Sequence, residues 1–291
     1  MLDVRRLRLL RELAHRGTIA AVAEALSFSP SAVSQQLSVL EREAGVPLLE
    51  RAGRRVVLTP AAQNLVRHAE AVLERLERAD AELAAVRTGL AGPVRIGSYP
   101  SATRAIAPAA LAALAREHPA LEARVTDVDP AGVPAALRAG ELDLALVHEY
   151  DFVPSEPQPG LTGQELFTEP MYLAARTPSS LADHRTSPWI MAPPGTLCRA
   201  MTVRACQATG FTPHVRHEVD DFATVLALVA LGQGVALVPH LGIAASPPSL
   251  TLTRLPISRR TRTVHRAGAD DHPAVATVTA ALRMAVPPEL R

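Results

Sequence analysis

The amino-acid sequence predicts an α/β protein with a helix-rich N-terminal unit, one long helix and two small α/β lobes. Three observations lead to this prediction. Residues 1–59 hold capped amphipathic helices and a short strand pair, residues 60–90 repeat apolar side chains at coiled-coil spacing, and residues 91–291 alternate strands with helices. A chain of 291 residues, 48% of them hydrophobic, is long enough to build two or three domains with real cores.

Two short helices separated by a tight turn are predicted between Thr18 and Gly45. Thr18 caps the first helix, and Ser29 caps the second, which has Pro30 at its first position, where a missing N–H costs nothing. The first helix turns Ile19, Val22, Ala23 and Leu26 inward. The second buries Val33, Leu37 and Leu40 and turns small polar side chains outward, namely Ser31, Ser34, Gln35 and Ser38.

The outward face of the second helix is suited to reading DNA. It carries hydroxyl and amide groups with no acid before Glu41, so it can enter a major groove and bond base edges. Two apolar strands around a turn at Gly53 follow and complete a winged helix-turn-helix. Three arginines on this wing could contact phosphate or a minor groove: Arg51, Arg54 and Arg55. A structural hairpin with a polar face is the alternative, which the order of cap, turn, second cap and basic wing disfavours.

Charge and composition limit the classes of partner that the protein can bind. The net charge is +1, but ten Arg stand against six Asp and Glu up to His68, which predicts a local basic patch. The chain has no Lys, so phosphate contacts would come from Arg, backbone N–H groups and polar side chains. No signal peptide, membrane-length apolar run or disulfide scaffold is recognisable, so we expect a cytoplasmic protein with no membrane partner.

A long helix is predicted from Thr59 and Pro60 to about Thr88. Its apolar side chains alternate in steps of four and three, which is typical of a coiled-coil seam: Leu65, Ala69, Val72, Leu76, Ala79, Leu83 and Val86. A lone helix cannot bury such a seam, so residues 60–90 predict a homodimer. Packing of this helix on the protein's own core is the alternative.

The remaining sequence has two related halves. The segment LRAGELDLALVH at 137–148 parallels LVALGQGVALVPH at 228–240 as helix, glycine turn, apolar strand and histidine. We expect lobe 1 to comprise about 91–161 plus 267–291 and lobe 2 about 162–266, with hinge-like chain crossings near 161–166 and 262–267. Ligands of such sheets bind beyond the carboxyl ends of strands, which places a site between the lobes.

Three stretches together resemble the LysR-type transcriptional regulators: TIAAVAEALSFSPSAVSQQLSVLEREAGVPLLERAGRRVVLTPAAQNLVRHA at 18–69, GPVRIGSYPSA at 92–102 and LGQGVALVP at 231–239. The resemblance implies a homodimer, usually paired into a tetramer, on an interrupted palindrome of double-stranded DNA. It also implies a small-molecule co-inducer between two periplasmic-binding-protein-like subdomains, which form the effector domain. The family pattern assigns base reading to Pro30, Ser31, Ser34 and Gln35. Many relatives carry Arg at the position of Gln35. Arg favours guanine, whereas Gln can pair with adenine, so this chain is expected to prefer a different half-site.

The same resemblance suggests effector contacts. Ser98, Tyr99, Ser101 and Thr103 surround a predicted helix start, where hydroxyls and N–H groups make a carboxylate site. His148 ends the matching strand of lobe 1, and Thr196 lies in the facing turn of lobe 2. We therefore expect a small anionic effector, with His148 adding positive charge below a pKa near 6.5. The alternative is that these residues are ordinary caps and turns.

Two cysteines leave a redox alternative open. The peroxide-sensing members of the family carry two reactive cysteines in this region. Cys206 aligns with one of those positions, whereas Cys198 is shifted by one residue from the other, and Arg199 could lower a thiol pKa. Eight residues on a helix mean about 12 Å of rise, too far for a disulfide unless the helix unwinds, so we favour packing roles. The sequence has no metal-ligand spacing, nucleophile elbow, P-loop or dinucleotide fingerprint. We therefore expect that the protein binds no metal or cofactor and is not an enzyme.

Overall fold

Three helices and a strand pair form the N-terminal unit of the computed structural model, which describes residues 1–52, 55–86, 90–244 and 246–291. The helices are α1 (Val4–Arg16), α2 (Ile19–Ala25) and α3 (Pro30–Ala44), and β1 (Leu49–Ala52) pairs antiparallel with β2 (Arg55–Leu58). Thr18 and Ser29 cap α2 and α3 through their hydroxyls, as predicted. The inward side chains form one core, which includes Leu10, Leu13, Val22, Val33, Leu37 and Leu40.

Helix α4 (Pro60–Ala85) carries the predicted seam, but its two ends differ. Ala69 is fully buried in the N-terminal core and Leu65 packs against that core, because the start of α4 lies along α1. The Ala69 side chain is therefore not available to a second chain, which corrects the prediction at this position. The later seam positions are exposed: Val72, Leu76, Ala79 and Leu83.

A six-stranded sheet joins the two lobes, in the order β4-β3-β5-β10-β6-β9. Its strands are β3 (Gly92–Ser98), β4 (Leu121–Asp127), β5 (Leu144–Tyr150), β6 (Leu161–Ala175), β9 (Ala236–Pro239) and β10 (Thr251–Arg266). The β4-β3-β5 part is parallel, and the pairs to β10, β6 and β9 are antiparallel. Lobe 2 adds a parallel pair, β7 (Pro188–Met191) and β8 (His214–Glu218).

Helices pack on each lobe. Lobe 1 carries α5 (Pro100–Ala105), α6 (Ala107–Glu117), α7 (Val133–Ala139) and α10 (Pro273–Met284), and lobe 2 carries α8 (Leu197–Ala208) and α9 (Phe222–Ala230). Helix α10 packs against α6 in the core of lobe 1. None of the helices within the described ranges is long and apolar enough to cross a membrane.

The two long strands β6 and β10 connect the lobes and were not predicted. Along β6, Phe167 belongs to the core of lobe 1 while Met171 belongs to that of lobe 2. Ile257 on β10 also lies in the core of lobe 2. The chain therefore passes from one lobe to the other within β6 and β10. These crossings lie some residues away from those expected near 161–166 and 262–267.

The N-terminal unit is docked on lobe 1 at helix α7. Arg8 Nη2 donates to the carbonyl of Ala139 at 2.9 Å and to that of Arg138 at 3.3 Å. Arg16 Nη2 donates to the carbonyl of Ala135 at 3.1 Å. The last carbonyls of a helix have no donor within it, and cations are favourable at that end. Arg8 therefore gives α7 a C-terminal cap that comes from another domain, and Arg16 adds a contact one turn earlier.

Candidate functional site

The exposed face of α3 presents the side chains that the sequence assigned to base reading. Pro30, Ser31, Ser34 and Gln35 are exposed, and Ser38 continues the same face one turn further. The neighbouring Gln36 faces inward, where its Oε1 accepts a hydrogen bond from Arg6 Nε at 2.9 Å. Of the two glutamines, Gln35 is therefore the one that a base edge could reach.

The wing continues this surface. Glu41 Oε1 accepts from the backbone N–H groups of Leu48 and Leu49 at 2.9 Å each, so the acid at the far end of α3 is used to fix the start of β1. Arg51 is exposed on β1. Arg54 and the side chain of Arg55 lie outside the described residues, so their expected phosphate contacts remain predictions from the sequence.

A cleft of about 950 Å³ lies between the lobes. Its walls include the loops after β3 and β4, the end of β5 and the first turns of α8 and α9. Helix α1 adds Glu12, His15 and Arg16 at the outer end. The cleft therefore borders both lobes and the N-terminal unit.

Four of the six predicted effector residues line this cleft: Tyr99, Ser101, His148 and Thr196. Ser98 and Thr103 do not. Ser98 is 2% exposed, and Thr103 Oγ1 bonds Asp127 at 2.6 Å and the Tyr99 carbonyl at 3.2 Å. Ser98 and Thr103 both stabilise the segment after β3, so the prediction that they contact the effector is wrong.

The predicted carboxylate site at the helix after β3 is also wrong. Helix α5 has six residues and starts with Pro100, which has no N–H, and Ala102 and Thr103 return theirs to the Tyr99 carbonyl. The twelve-residue helix α8 offers a better N-terminus. The first N–H groups of a helix lack partners within it, and no acceptor for those of Leu197 and Cys198 occurs in the described part of the chain.

Thr196 has a structural role at this same helix end. Its Oγ1 donates to the Pro193 carbonyl at 2.9 Å and accepts from the Arg199 N–H at 3.2 Å. With these two bonds the hydroxyl shapes the turn and caps α8. Thr196 thus positions the helix N-terminus at the cleft rather than offering a free hydroxyl.

Arg259 lines the floor of the cleft and is paired with Glu169, and sequence reasoning missed both. They are cross-strand partners on β10 and β6, 2% and 0% exposed, and the guanidinium lies 2.7 Å from the carboxylate. Burial alone would lower the pKa of Arg259, but the charge of Glu169, its hydrogen bond and the nearby tyrosines together outweigh burial and raise that pKa. Arg259 Nη2 also donates to Ser101 Oγ at 3.0 Å, and its guanidinium carbon lies 4.9 Å from the centre of the Tyr99 ring.

His148 lies between two tyrosines beside this pair. Its ring centre is 4.6 Å from that of Tyr99 and 5.3 Å from that of Tyr150. Burial, with a smaller effect of the Arg259 charge, lowers the pKa of His148 well below its usual value, so the ring is neutral near pH 7. The expectation that His148 adds positive charge below pH 6.5 is therefore wrong.

Two buried polar atoms at the floor lack partners. Among the described residues, neither Tyr150 Oη nor His148 Nδ1 makes a hydrogen bond, although Tyr150 is 0% exposed. Buried polar groups in proteins are nearly always satisfied, and an exception in a cleft points to a missing ligand or water. Both residues line the cleft.

The mouth of the cleft carries charges from both lobes. Arg104 of α5 donates to Asp221, the cap of α9, at 3.0 Å, so one ion pair spans the lobes. Hydrogen bonds from the backbone and side chain of Thr224, then Arg104, lower the pKa of Asp221 to about 2. Asp129 of lobe 1 and Asp220 of lobe 2 line the same opening.

Comparisons with known proteins agree with this geometry. Residues 4–63 match the model of the bacterial regulatory helix-turn-helix protein, lysR family, and residues 87–287 match that of the LysR substrate binding domain. The chain belongs to the LysR family. It is a DNA-binding transcriptional regulator with an effector-binding domain, as the sequence predicted.

Relatives of this LysR-family regulator include the transcriptional dual regulator GltC of Bacillus subtilis, 30% identical over 264 residues, which cover 88% of this chain and 86% of GltC. A probable hydrogen peroxide-inducible genes activator of Mycobacterium xenopi is 36% identical over 182 residues, 62% of this chain and 94% of that protein. A mutant OxyR of Corynebacterium glutamicum has a TM-score of 0.59 at 26% identity, covering 98% and 92% of the two chains. CbnR bound to its target DNA shares the fold, with 23% identity and a TM-score of 0.54. The match covers 98% of this chain and 100% of the CbnR chain.

Both cysteines of this LysR-family regulator lie on α8, as predicted. Cys206 is buried, and burial raises its thiol pKa to about 12. Burial also raises the pKa of Cys198 to about 11, although the charge of Arg259 acts against it. Arg199 pairs with Glu218 rather than with a thiol. No group of three potential metal ligands occurs in the described part of the chain.

Proposed function

We propose that a small anionic effector, bound between the two lobes, controls how this regulator binds its DNA. The floor of the cleft supports this proposal most directly. It combines the buried Arg259, the unpaired hydroxyl of Tyr150 and the free N–H groups that begin α8. Backbone N–H groups at a helix start, together with a buried hydroxyl donor, suit a carboxylate. Glu169 already balances the charge of Arg259, so these neutral donors would fix the anion's position.

On the DNA side, we propose that a homodimer reads an interrupted palindrome. The exposed α3 face supports base contacts by Pro30, Ser31, Ser34 and Gln35, and Ser38 with the wing arginines would contact the backbone. The exposed half of the α4 seam supports pairing of two chains, and two such dimers would form a tetramer. We expect this regulator to bind its DNA in the bacterial cytoplasm.

Binding measurements with defined acids test the effector proposal. Calorimetry of the full chain with acetate, lactate, malate, succinate and benzoate should find an acid that binds, and footprinting on the operator upstream of its own gene should change with that acid. Tyr150→Phe removes the unpaired hydroxyl and should weaken binding about tenfold, the usual cost of one hydrogen bond to a charged group. Tyr172→Phe, on β6 outside the cleft, is the matched control. Binding that is equal in wild type and Tyr150→Phe would contradict the proposed subsite.

A second candidate is a thiol redox switch, which the similarity to peroxide-inducible activators favours. Against it, the pKa values of Cys198 and Cys206 are raised to about 11 and about 12, and thiolates are the reactive form. Treatment with hydrogen peroxide followed by a gel-mobility assay on operator DNA separates the two candidates. A mobility change that disappears in Cys198→Ser or Cys206→Ser would establish the switch.

A further inference from the structure

Two carboxylates in the effector cleft have no cation partner. Within the described ranges, Asp129 accepts only the backbone N–H of Ala131, at 2.8 Å, and Asp220 makes no hydrogen bond or ion pair. The neighbouring acids are occupied: Asp221 pairs with Arg104 and caps α9, and Asp127 accepts from Thr103. Of the four aspartates that line the cleft, Asp129 and Asp220 are therefore the two that remain for a ligand.

These two carboxylates line the same cleft from different lobes. Asp129 follows β4 of lobe 1, and Asp220 lies between β8 and α9 of lobe 2. Partial burial, then the charges of Asp129 and Asp221, raise the pKa of Asp220. The ionised form of Asp220 is therefore disfavoured by its acidic neighbours, and a cation bound beside it would remove this cost.

The acidic opening and the anion subsite line one cavity. Asp129, Asp220, Arg259 and Cys198, which lies in the first turn of α8, all border it. The free N–H groups of that turn and the unpaired atoms of Tyr150 and His148 belong to the same cavity. Donors for an anion and acceptors for a cation therefore line one cleft, which has space for a small molecule.

We propose that the effector is an α-amino acid, with its carboxylate at the start of α8 and Tyr150 and its ammonium between Asp129 and Asp220. This inference rests on the proposed function and adds the cationic group. It also gives the ligand a means to act on the hinge, because the ammonium joins an acid of lobe 1 to an acid of lobe 2. A ligand shifts such an equilibrium only through its preference for one state, and this ammonium prefers the closed one.

Matched pairs of compounds test the inference on the full-length protein. Calorimetry compares L-alanine with L-lactate, L-aspartate with L-malate, L-phenylalanine with L-phenyllactate and L-leucine with L-2-hydroxyisocaproate; each pair exchanges only ammonium for hydroxyl. We expect at least one amino acid to bind about tenfold or more tighter than its hydroxy acid, the difference that a charge-assisted hydrogen bond supplies.

Two variants locate the ammonium site. Asp220→Asn keeps the shape of a side chain that makes no internal bond, and it should remove the preference for the amino acid while leaving the hydroxy acid's affinity unchanged. Glu156→Gln neutralises another acid of the cleft and should keep the preference. If hydroxy acids bind as tightly as amino acids in the wild type, or Asp220→Asn keeps the preference, the inference is wrong while the anionic effector stands. If no member of either series, nor any of the simple acids, binds, both proposals fail.

Discussion

Arg16 in the N-terminal unit donates a hydrogen bond from Nη2 to the carbonyl of Ala135 in helix α7, over 3.1 Å. Both residues also line the effector cleft. The same α7 carries the contacts of Arg8 at its C-terminal end. The DNA-binding unit and the effector cleft thus share one short helix, and a ligand that moves α7 would move a contact of α1.

Arg8→Ala should loosen this docking. The change leaves the carbonyl of Ala139 without its donor and that of Arg138 with only the longer bond from Arg11 Nη2, at 3.4 Å. We expect faster amide hydrogen exchange in α1 and around α7, measured by mass spectrometry, with the core of lobe 2 unchanged. Arg5→Ala, an exposed neighbour on the same helix, is the control. Identical exchange in both variants would show that the contact does not hold the domains together.

Gln35→Ala should lower specificity more than affinity for random DNA. Loss of a bidentate base contact costs about 1–3 kcal/mol on the cognate site, and Ser34→Ala should act in the same direction. The measurement is a fluorescence titration with operator and scrambled duplexes at one salt concentration. Gln36→Ala breaks the bond to Arg6 and should reduce stability without changing the ratio of the two affinities. An unchanged ratio for Gln35→Ala would contradict the base-reading assignment.

Leu76→Glu should prevent pairing of the linker helices. Leu76 is 49% exposed in the single chain, and a carboxylate there would meet its copy in a dry interface. Light scattering should show a monomer, and binding to a palindrome should be lost while circular dichroism stays native. Ala71→Glu places the same charge on an exposed position outside the seam and should remain associated. A dimeric Leu76→Glu protein would place the interface elsewhere.

His148 should make stability depend on pH below neutrality. Its folded pKa lies well below 6.5 because of burial, so between the folded and unfolded pKa values the unfolded chain binds one more proton. Stability therefore falls as pH drops below about 6.5, by up to about 1.4 kcal/mol per pH unit. Urea unfolding across pH 7 to 5 measures this slope. His148→Gln should flatten it, whereas the exposed His214→Gln should not; equal slopes would contradict the burial of a neutral ring.

Glu169→Gln should be strongly destabilising. It leaves the guanidinium of Arg259 buried without a counter-charge, and breaking one side of a buried pair costs about 3–5 kcal/mol. Removing both charges with Glu169→Gln and Arg259→Met should recover part of the loss. Chemical unfolding of the three variants gives the comparison. A double variant less stable than Glu169→Gln alone would show that Arg259 has favourable contacts beyond the pair, such as Ser101 and Tyr99.

The sequence by itself determined the elements whose signals are local. Caps such as Thr18 and Ser29 and a proline at the first helical position mark helix starts that depend on a few adjacent residues. The positions after strands also placed Tyr99, Ser101 and His148 at the cleft, because the ends of parallel strands meet at one edge of a sheet.

Tertiary structure alone decided the chemistry of the cleft floor. On β10 the inward side chains are largely polar, with Arg259, Thr261 and Thr263 buried, so the strand lacks the apolar alternation that a sequence pattern can reveal. The charge of Arg259 is acceptable there because Glu169, 90 residues away, lies opposite it. Likewise the C-terminal cap of α7 comes from Arg8 in another domain. Periodicity reports neighbours along the chain, whereas buried charge and domain docking depend on partners that only the folded chain brings together.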